Sequence, residues 1–324
     1  MTHTSNRSQR SPALFQDAPT LSIDVGGTAF AYRELGPRAG VPVILLNHLA
    51  AQLDNFDPRI VDGLAATRRV IAFDNRGVGA SGGKTPSTIS GMARDAIAFI
   101  RALGFEEVDL FGFSLGGFVA QEIVLTEPKL VRKLILAGTG PAGGQGIDKV
   151  TQLTIVDMIK GALTLRDPKY YLFFTRTPNG RRAANAFLGR LKERRNNRDK
   201  AVSLSAFGAQ LKAIKAYGLQ PPQDLSAIRI PTLVANGDQD RMVPSSNTYD
   251  LAGRIPGAHL VIYPDAGHGG VFQNYADFVP KALSFLEAEA LPQGGYALKT
   301  FGLFRPEQQQ TFLESNCHEG IRCR

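Results

Sequence analysis

Cysteine is nearly missing from this 324-residue chain: it has two, Cys317 and Cys323, both within the last eight residues. A body without thiols excludes a disulfide scaffold, a cysteine nucleophile and a thiolate metal site. Long apolar runs are missing too. None approaches the roughly 18 residues of a membrane span, and the start, MTHTSNRSQRSPALFQ, lacks the apolar core of a signal peptide. A cytoplasmic protein is expected, with a disordered tail over residues 1–20 and a poorly structured one over 291–324. No internal repeat is present. Histidine is scarce, with five residues, which shortens any search for a catalytic base.

What the chain does contain is that of an ordinary globular protein, 43 % hydrophobic and 20 % charged. Its net charge of +8 is unevenly placed, since residues 149–224 hold fifteen Lys/Arg against five Asp/Glu. Runs such as RTPNGRR and RLKERRNNRDK could serve an anionic partner. No recognised nucleic-acid motif accompanies them, so they read as the solvated face of surface helices, with neither nucleic acid nor membrane as a partner.

Continuous Val/Ile/Leu strands (VPVILLN, RRVIAFDNRG, EEVDLF, VRKLILAGT) alternate with helical segments, the pattern of a parallel sheet covered on both faces. Two short strands around GGT precede them. After Gly140 the rhythm changes to helical, basic sequence with aromatic pieces such as YYLFF. Alternation resumes with IPTLVANG, AHLVIYPD and a closing helix over 275–290. The reading is an α/β core over 21–140 and 226–290, carrying a helical cap over 141–225.

The pattern G-x-S-x-G occurs twice, around Ser114 and around Ser81. A nucleophilic serine must project from a sharp strand-to-helix turn whose backbone leaves no room for side chains two residues to either side. Ser114 has a strand directly before it and a helix directly after. Ser81 has neither and reads as a loop residue. Its loop, RGVGASGGKTP, misses a phosphate-binding P-loop because Val78 stands where glycine is needed, and DVGGT at Asp24 reads as a tight turn.

A serine needs a general base, and histidine is the usual one. His3 and His318 lie in the tails and His259 begins a strand. His268, in DAGHGG after the strand LVIYP, lies where open α/β sheets collect functional groups; His48 is the competitor. A third group must orient the base, and ANGDQDRMVP offers Asp238 and Asp240.

These segments together resemble the α/β-hydrolase superfamily, in its serine esterase and haloperoxidase-like (perhydrolase) branch, over residues 21 to 290. The carriers are NHLAAQLDNFDP, DNRGVGAS, GFSLGG, GDQDRMVP and DAGHGG. The resemblance implies an α/β-hydrolase fold and a triad of Ser114, Asp240 and His268, with Asp238 as second choice. It also implies an oxyanion hole from the Leu49 and Leu115 amides. Asp74, Arg76 and Gly77 match a structural loop of the family. His48 stands where the family usually has glycine, and is expected either to plug the pocket wall or to touch substrate.

The activity implied is hydrolysis of an ester, thioester or lactone carbonyl on an apolar small molecule, with no metal and no cofactor. Carbon–carbon bond hydrolysis, perhydrolysis and a slow-turnover ligand sensor are the alternatives. Serine at position 114 speaks against epoxide hydrolases and haloalkane dehalogenases, which carry aspartate there.

Overall fold

The computed structural model describes residues 14–288. The expectations placed on His3, His318, Cys317, Cys323 and the C-terminal tail lie outside those residues.

Strands β1 (Leu21–Asp24) and β2 (Ala29–Leu35) form a hairpin, followed by β3 (Val43–Leu46), helix α1 (Pro58–Ala65) and β4 (Val70–Phe73). Then come α2 (Ile89–Ala102), β5 (Val108–Phe113), α3 (Leu115–Thr126) and β6 (Val131–Ala137). Four helices intervene: α4 (Val150–Leu163), α5 (Lys169–Leu172), α6 (Pro178–Arg190) and α7 (Leu204–Gly218). The core resumes with β7 (Thr232–Gly237), α8 (Ser246–Arg254), β8 (His259–Tyr263), α9 (Gly270–Gln273) and α10 (Tyr275–Glu287).

The eight strands run in the order β1-β2-β4-β3-β5-β6-β7-β8, antiparallel at β1/β2 and β2/β4 and parallel elsewhere. After β3 the chain crosses to β4 on one side, then returns to β5 on the other. The order reverses between β3 and β5, and a crevice opens there at the strands' carboxyl ends. The central strands β3, β4 and β5 are buried throughout, as expected of parallel strands covered on both faces.

Local signals explain where the helices begin. Asp57 accepts the Arg59 N–H ahead of Pro58 at α1, and Thr177 accepts the Gly180 N–H ahead of Pro178 at α6. Thr88 and Ser203 cap α2 and α7 in the same way. Helix α3 is apolar nearly all round because it lies buried against the sheet and α2.

The expectation of a disordered tail over 1–20 does not hold for residues 15–18. Phe15 and Ala18 are buried, the Phe15 N–H donates to Asp62, and Arg194 donates to the Gln16 and Ala18 carbonyls. Polar, Ser-rich flanks hid two apolar residues that pack only because α1 and the α6–α7 connection meet them. Among the described residues no helix is long and apolar enough to cross a membrane.

Candidate active site

Strand β5 delivers Ser114 into the crevice through a strained turn: its φ is 55° and its ψ −117°. Side chains at the flanking glycines would not fit. A Cβ on Gly116 would lie 2.0 Å from the Leu46 carbonyl oxygen, and one on Gly112 would lie 2.5 Å from the Gly116 oxygen. The turn is held by the Ser114 N–H on Ala137 O (2.9 Å) and by Thr139 Oγ1 donating to Ser114 O (2.9 Å).

Serine is a favoured N-cap, yet Ser114 makes no capping bond to α3. Its hydroxyl lies 2.9 Å from His268 Nε2 instead. His268 follows β8, and its Nδ1 lies 2.7 Å from Asp240 Oδ2. A carboxylate only accepts, so the proton sits on Nδ1 and Nε2 is left to accept from the Ser114 hydroxyl. Asp240, after β7, is turned inward by the Met242 (2.8 Å) and Val243 (3.0 Å) N–H groups on Oδ1 and by Asn236 Nδ2 (3.1 Å) on Oδ2. All three side chains are buried.

Asp238 is exposed, and its Oδ1 accepts the Ala266 N–H at 3.2 Å, supporting the loop that carries His268. His259 opens β8, which lies at the end of the sheet. Ser81 spends its hydroxyl on structure, donating to Asp74 O and accepting from the Ala31 N–H. Asp74 accepts the Leu53 and Ala80 N–H groups, and burial, with Asp199 beside it, pushes its carboxyl up to about 9.

The serine and His268 line a cavity of about 280 Å³, with Leu49, Met158, Phe173 and Leu204 among its walls. Because α3 lacks a side-chain cap, its first amide is unspent. Among the described residues neither the Leu115 N–H nor the Leu49 N–H has a protein acceptor. The loop bearing Leu49 is held from both sides. His48 Nδ1 lies 2.8 Å from Leu49 O, and the Ala50 N–H donates to Gln210 Oε1 at 2.8 Å, with Ala50 itself at φ 56°.

His48 forms part of the cavity wall, edge-on to Phe113 and Phe173. Leu49 O only accepts, so Nδ1 carries a proton. Burial, with the Lys169 charge next in effect, pulls its pKa down to about 3 from an ordinary 6.5. The unfolded chain therefore takes up a proton that the folded protein refuses, and His48's contribution to stability, complete above pH 6.5, is lost as pH falls toward 3. His48→Gln should flatten the fall in melting temperature between pH 6.5 and pH 4 relative to wild type; parallel curves would refute this.

The comparisons with known proteins agree with this architecture. A family model described as alpha/beta hydrolase fold matches residues 41–275. The chain belongs to the α/β-hydrolase family. Similar proteins include a putative carbamate hydrolase RutD from Rhizobium rhizogenes, 27 % identical, covering 76 % of this chain and 93 % of the relative. A putative non-heme chloroperoxidase from Synechocystis sp. is 29 % identical over 79 % of this chain and 94 % of its own length. A solved α/β-hydrolase-fold protein from Chitinophaga pinensis superposes with a TM-score of 0.81 at 39 % identity, covering 85 % of this chain and 99 % of that one.

Sequence reasoning missed Gln210 and Asn236, while Phe173 lies in the YYLFF stretch it had singled out. Gln210 reaches Ala50 across 160 residues, which no local pattern signals. Asn236 was within reach: a polar side chain inside the buried strand TLVANG, four residues before an acid, asks for a partner there.

Proposed function

We propose that the protein is a serine hydrolase acting on an ester, thioester or lactone carbonyl. The observation that carries the reading is the continuous hydrogen-bonded chain from Ser114 through His268 to Asp240. Ser114 Oγ attacks the carbonyl carbon as His268 Nε2 takes its proton, while Asp240 stabilises the resulting imidazolium. The Leu49 and Leu115 amides hold the oxyanion. The tetrahedral intermediate collapses, the leaving group takes the proton from Nε2, and an acyl-Ser114 remains. Water, deprotonated by the same nitrogen, then releases the acid and restores the serine. No step requires a metal or a cofactor.

Helices α4 to α7 act as the cap. Thr154 and Met158 from α4, Leu172 from α5, and Leu204 and Phe207 from α7 line the Ser114 cavity. The apolar walls suit an apolar acyl or alkyl group, and neutral His48 adds no charge to them. The likeness to a chloroperoxidase favours one second reading, in which hydrogen peroxide instead of water accepts the acyl group. Product analysis of an ester with and without peroxide separates the two.

A fluorophosphonate probe should label the intact protein on Ser114, and steady ester turnover above about 1 per second should follow. Absence of labelling would overturn the triad reading, and a single burst without turnover would turn it toward a ligand sensor. Gln210, which holds the peptide next to the Leu49 donor, gives a further prediction. Gln210→Leu should lower kcat about tenfold with KM little changed, a fraction of the roughly 3 kcal/mol that a whole oxyanion donor is worth. Gln210→Glu keeps the acceptor and should restore most of the loss; equal kcat in all three proteins would refute the role.

A further inference from the structure

Helix α4 presents solvent with an apolar face. Ile155, Val156, Ile159 and Leu163 fall on one helical stripe and are between 46 % and 81 % exposed. Beyond the helix end, Leu165 is 95 % exposed and sits at φ 53°, a left-handed conformation that ordinarily selects glycine or asparagine. Single exposed apolar residues are common on any protein, whereas a contiguous stripe marks an interaction surface. The stripe continues to the cavity. Met158 and Leu204, both exposed, line the same pocket as Ser114.

Cations gather at the C-terminal end of this stripe. Lys160 and Arg176 lie over the Tyr171 ring, at 4.7 and 4.4 Å, and Arg166 lies over Tyr170 at 4.4 Å. Among the described residues neither Lys160 nor Arg166 has a carboxylate partner. The nearby acids are engaged: Asp157 with Arg241 and Arg176, and Asp167 with Lys169. An exposed apolar stripe beside unpaired, aromatic-supported cations has the chemistry of a helix that lies in the plane of a lipid interface.

We propose that α4 and the turn after it dock on an anionic lipid surface, the stripe entering the acyl layer and Lys160 and Arg166 meeting the headgroups. A second copy of the chain is the less favourable occupant. It would set two basic faces together, in a segment with fifteen Lys/Arg against five Asp/Glu and a chain of net charge +8. Negative headgroups neutralise that charge. This departs from the expectation that the basic segment is a solvated face with no membrane as a partner. It also extends the hydrolase reading, on which the following clause rests: the substrate is an ester whose apolar chain partitions into such an interface and enters beside Met158 and Leu204.

The test is flotation of the full chain with vesicles of phosphatidylglycerol and phosphatidylcholine, against vesicles of phosphatidylcholine alone. Wild type should bind the anionic vesicles, and binding should weaken as salt rises. The double variant Ile159→Asp/Leu163→Asp should bind about tenfold more weakly, and Lys160→Glu/Arg166→Glu should lose the preference for anionic vesicles. Unchanged melting temperature and unchanged fluorophosphonate labelling in solution show that the variants fold. No binding by wild type, or equal binding by the stripe variant, overturns the proposal. So does a dimer in light scattering that the stripe variant abolishes, which would assign the face to a second copy. Flotation, light scattering and melting temperature do not depend on the triad, whereas loss of labelling in wild type reports on the triad alone, so a failed docking surface and a failed triad are told apart.

Discussion

Ser114→Ala should lower ester turnover by roughly 10⁴-fold or more, leave no fluorophosphonate adduct, and shift the melting temperature little. On the proposed mechanism the large effect follows from the loss of the atom that forms the covalent bond. On the same proposal, what remains is binding and polarisation by the Leu49 and Leu115 amides, which would assist attack by water but supply no nucleophile. The small effect on stability follows from the site's economy. The Ser114 hydroxyl caps nothing in α3 and among the described residues has only His268 Nε2 as a partner, so alanine removes one hydrogen bond and leaves the Ala137 and Thr139 contacts in place. Full activity in a Ser114→Ala protein free of wild-type contamination would end the serine hydrolase reading.

Asp240→Asn should cost nearly as much, roughly 10⁴-fold in kcat, at near-wild-type KM. Met242 and Val243 both donate to Oδ1, so an asparagine must place its carbonyl there and its NH₂ where Oδ2 was. That NH₂ would face His268 Nδ1 as a donor and force the imidazole proton onto Nε2. A protonated Nε2 cannot accept from the Ser114 hydroxyl. Asn236 Nδ2, which donates to Oδ2, would meet another donor as well. Asp238→Asn is the control: its Oδ1 still accepts the Ala266 N–H, and kcat should stay within about threefold. Rates measured side by side decide between the two acids, and a large loss in Asp238→Asn with none in Asp240→Asn would reverse the assignment.

The choice between these acids shows how far a sequence can be read. Ser114 and Asp240 follow the buried strands β5 and β7 and His268 follows the half-buried β8, and strands with their succeeding loops leave a local signature. That Asp240 rather than Asp238 turns inward depends on the two backbone N–H groups after it, which the D-R-x-x-P pattern encodes only through resemblance. The glycines beside Ser114 were legible for the same local reason, and the contacts a Cβ would make explain them. The burial of Phe15, the Gln210 bond to Ala50 and the Asp157 bond to Arg241 were not legible. Each depends on segments 47 to 160 residues apart, and nothing in either partner's neighbourhood names the other. The exposed face of α4 was hidden differently: its apolar residues look like core in a sequence, and only their exposure distinguishes them.

The four helices between β6 and β7 are stitched to the rest of the protein residue by residue. Arg190 grips Asp57 with two hydrogen bonds, and Arg59 grips Glu193 in the same way. Gln210 holds Ala50, while Asp157 holds Arg241, the immediate neighbour of Asp240. For protein engineering this means the segment is not an exchangeable cassette. A chimera carrying another hydrolase's insertion would strand Asp57 as a buried, unpaired carboxylate and leave the Ala50 amide without its acceptor. Specificity transferred with these helices has to be transferred together with positions 50, 57, 59 and 241.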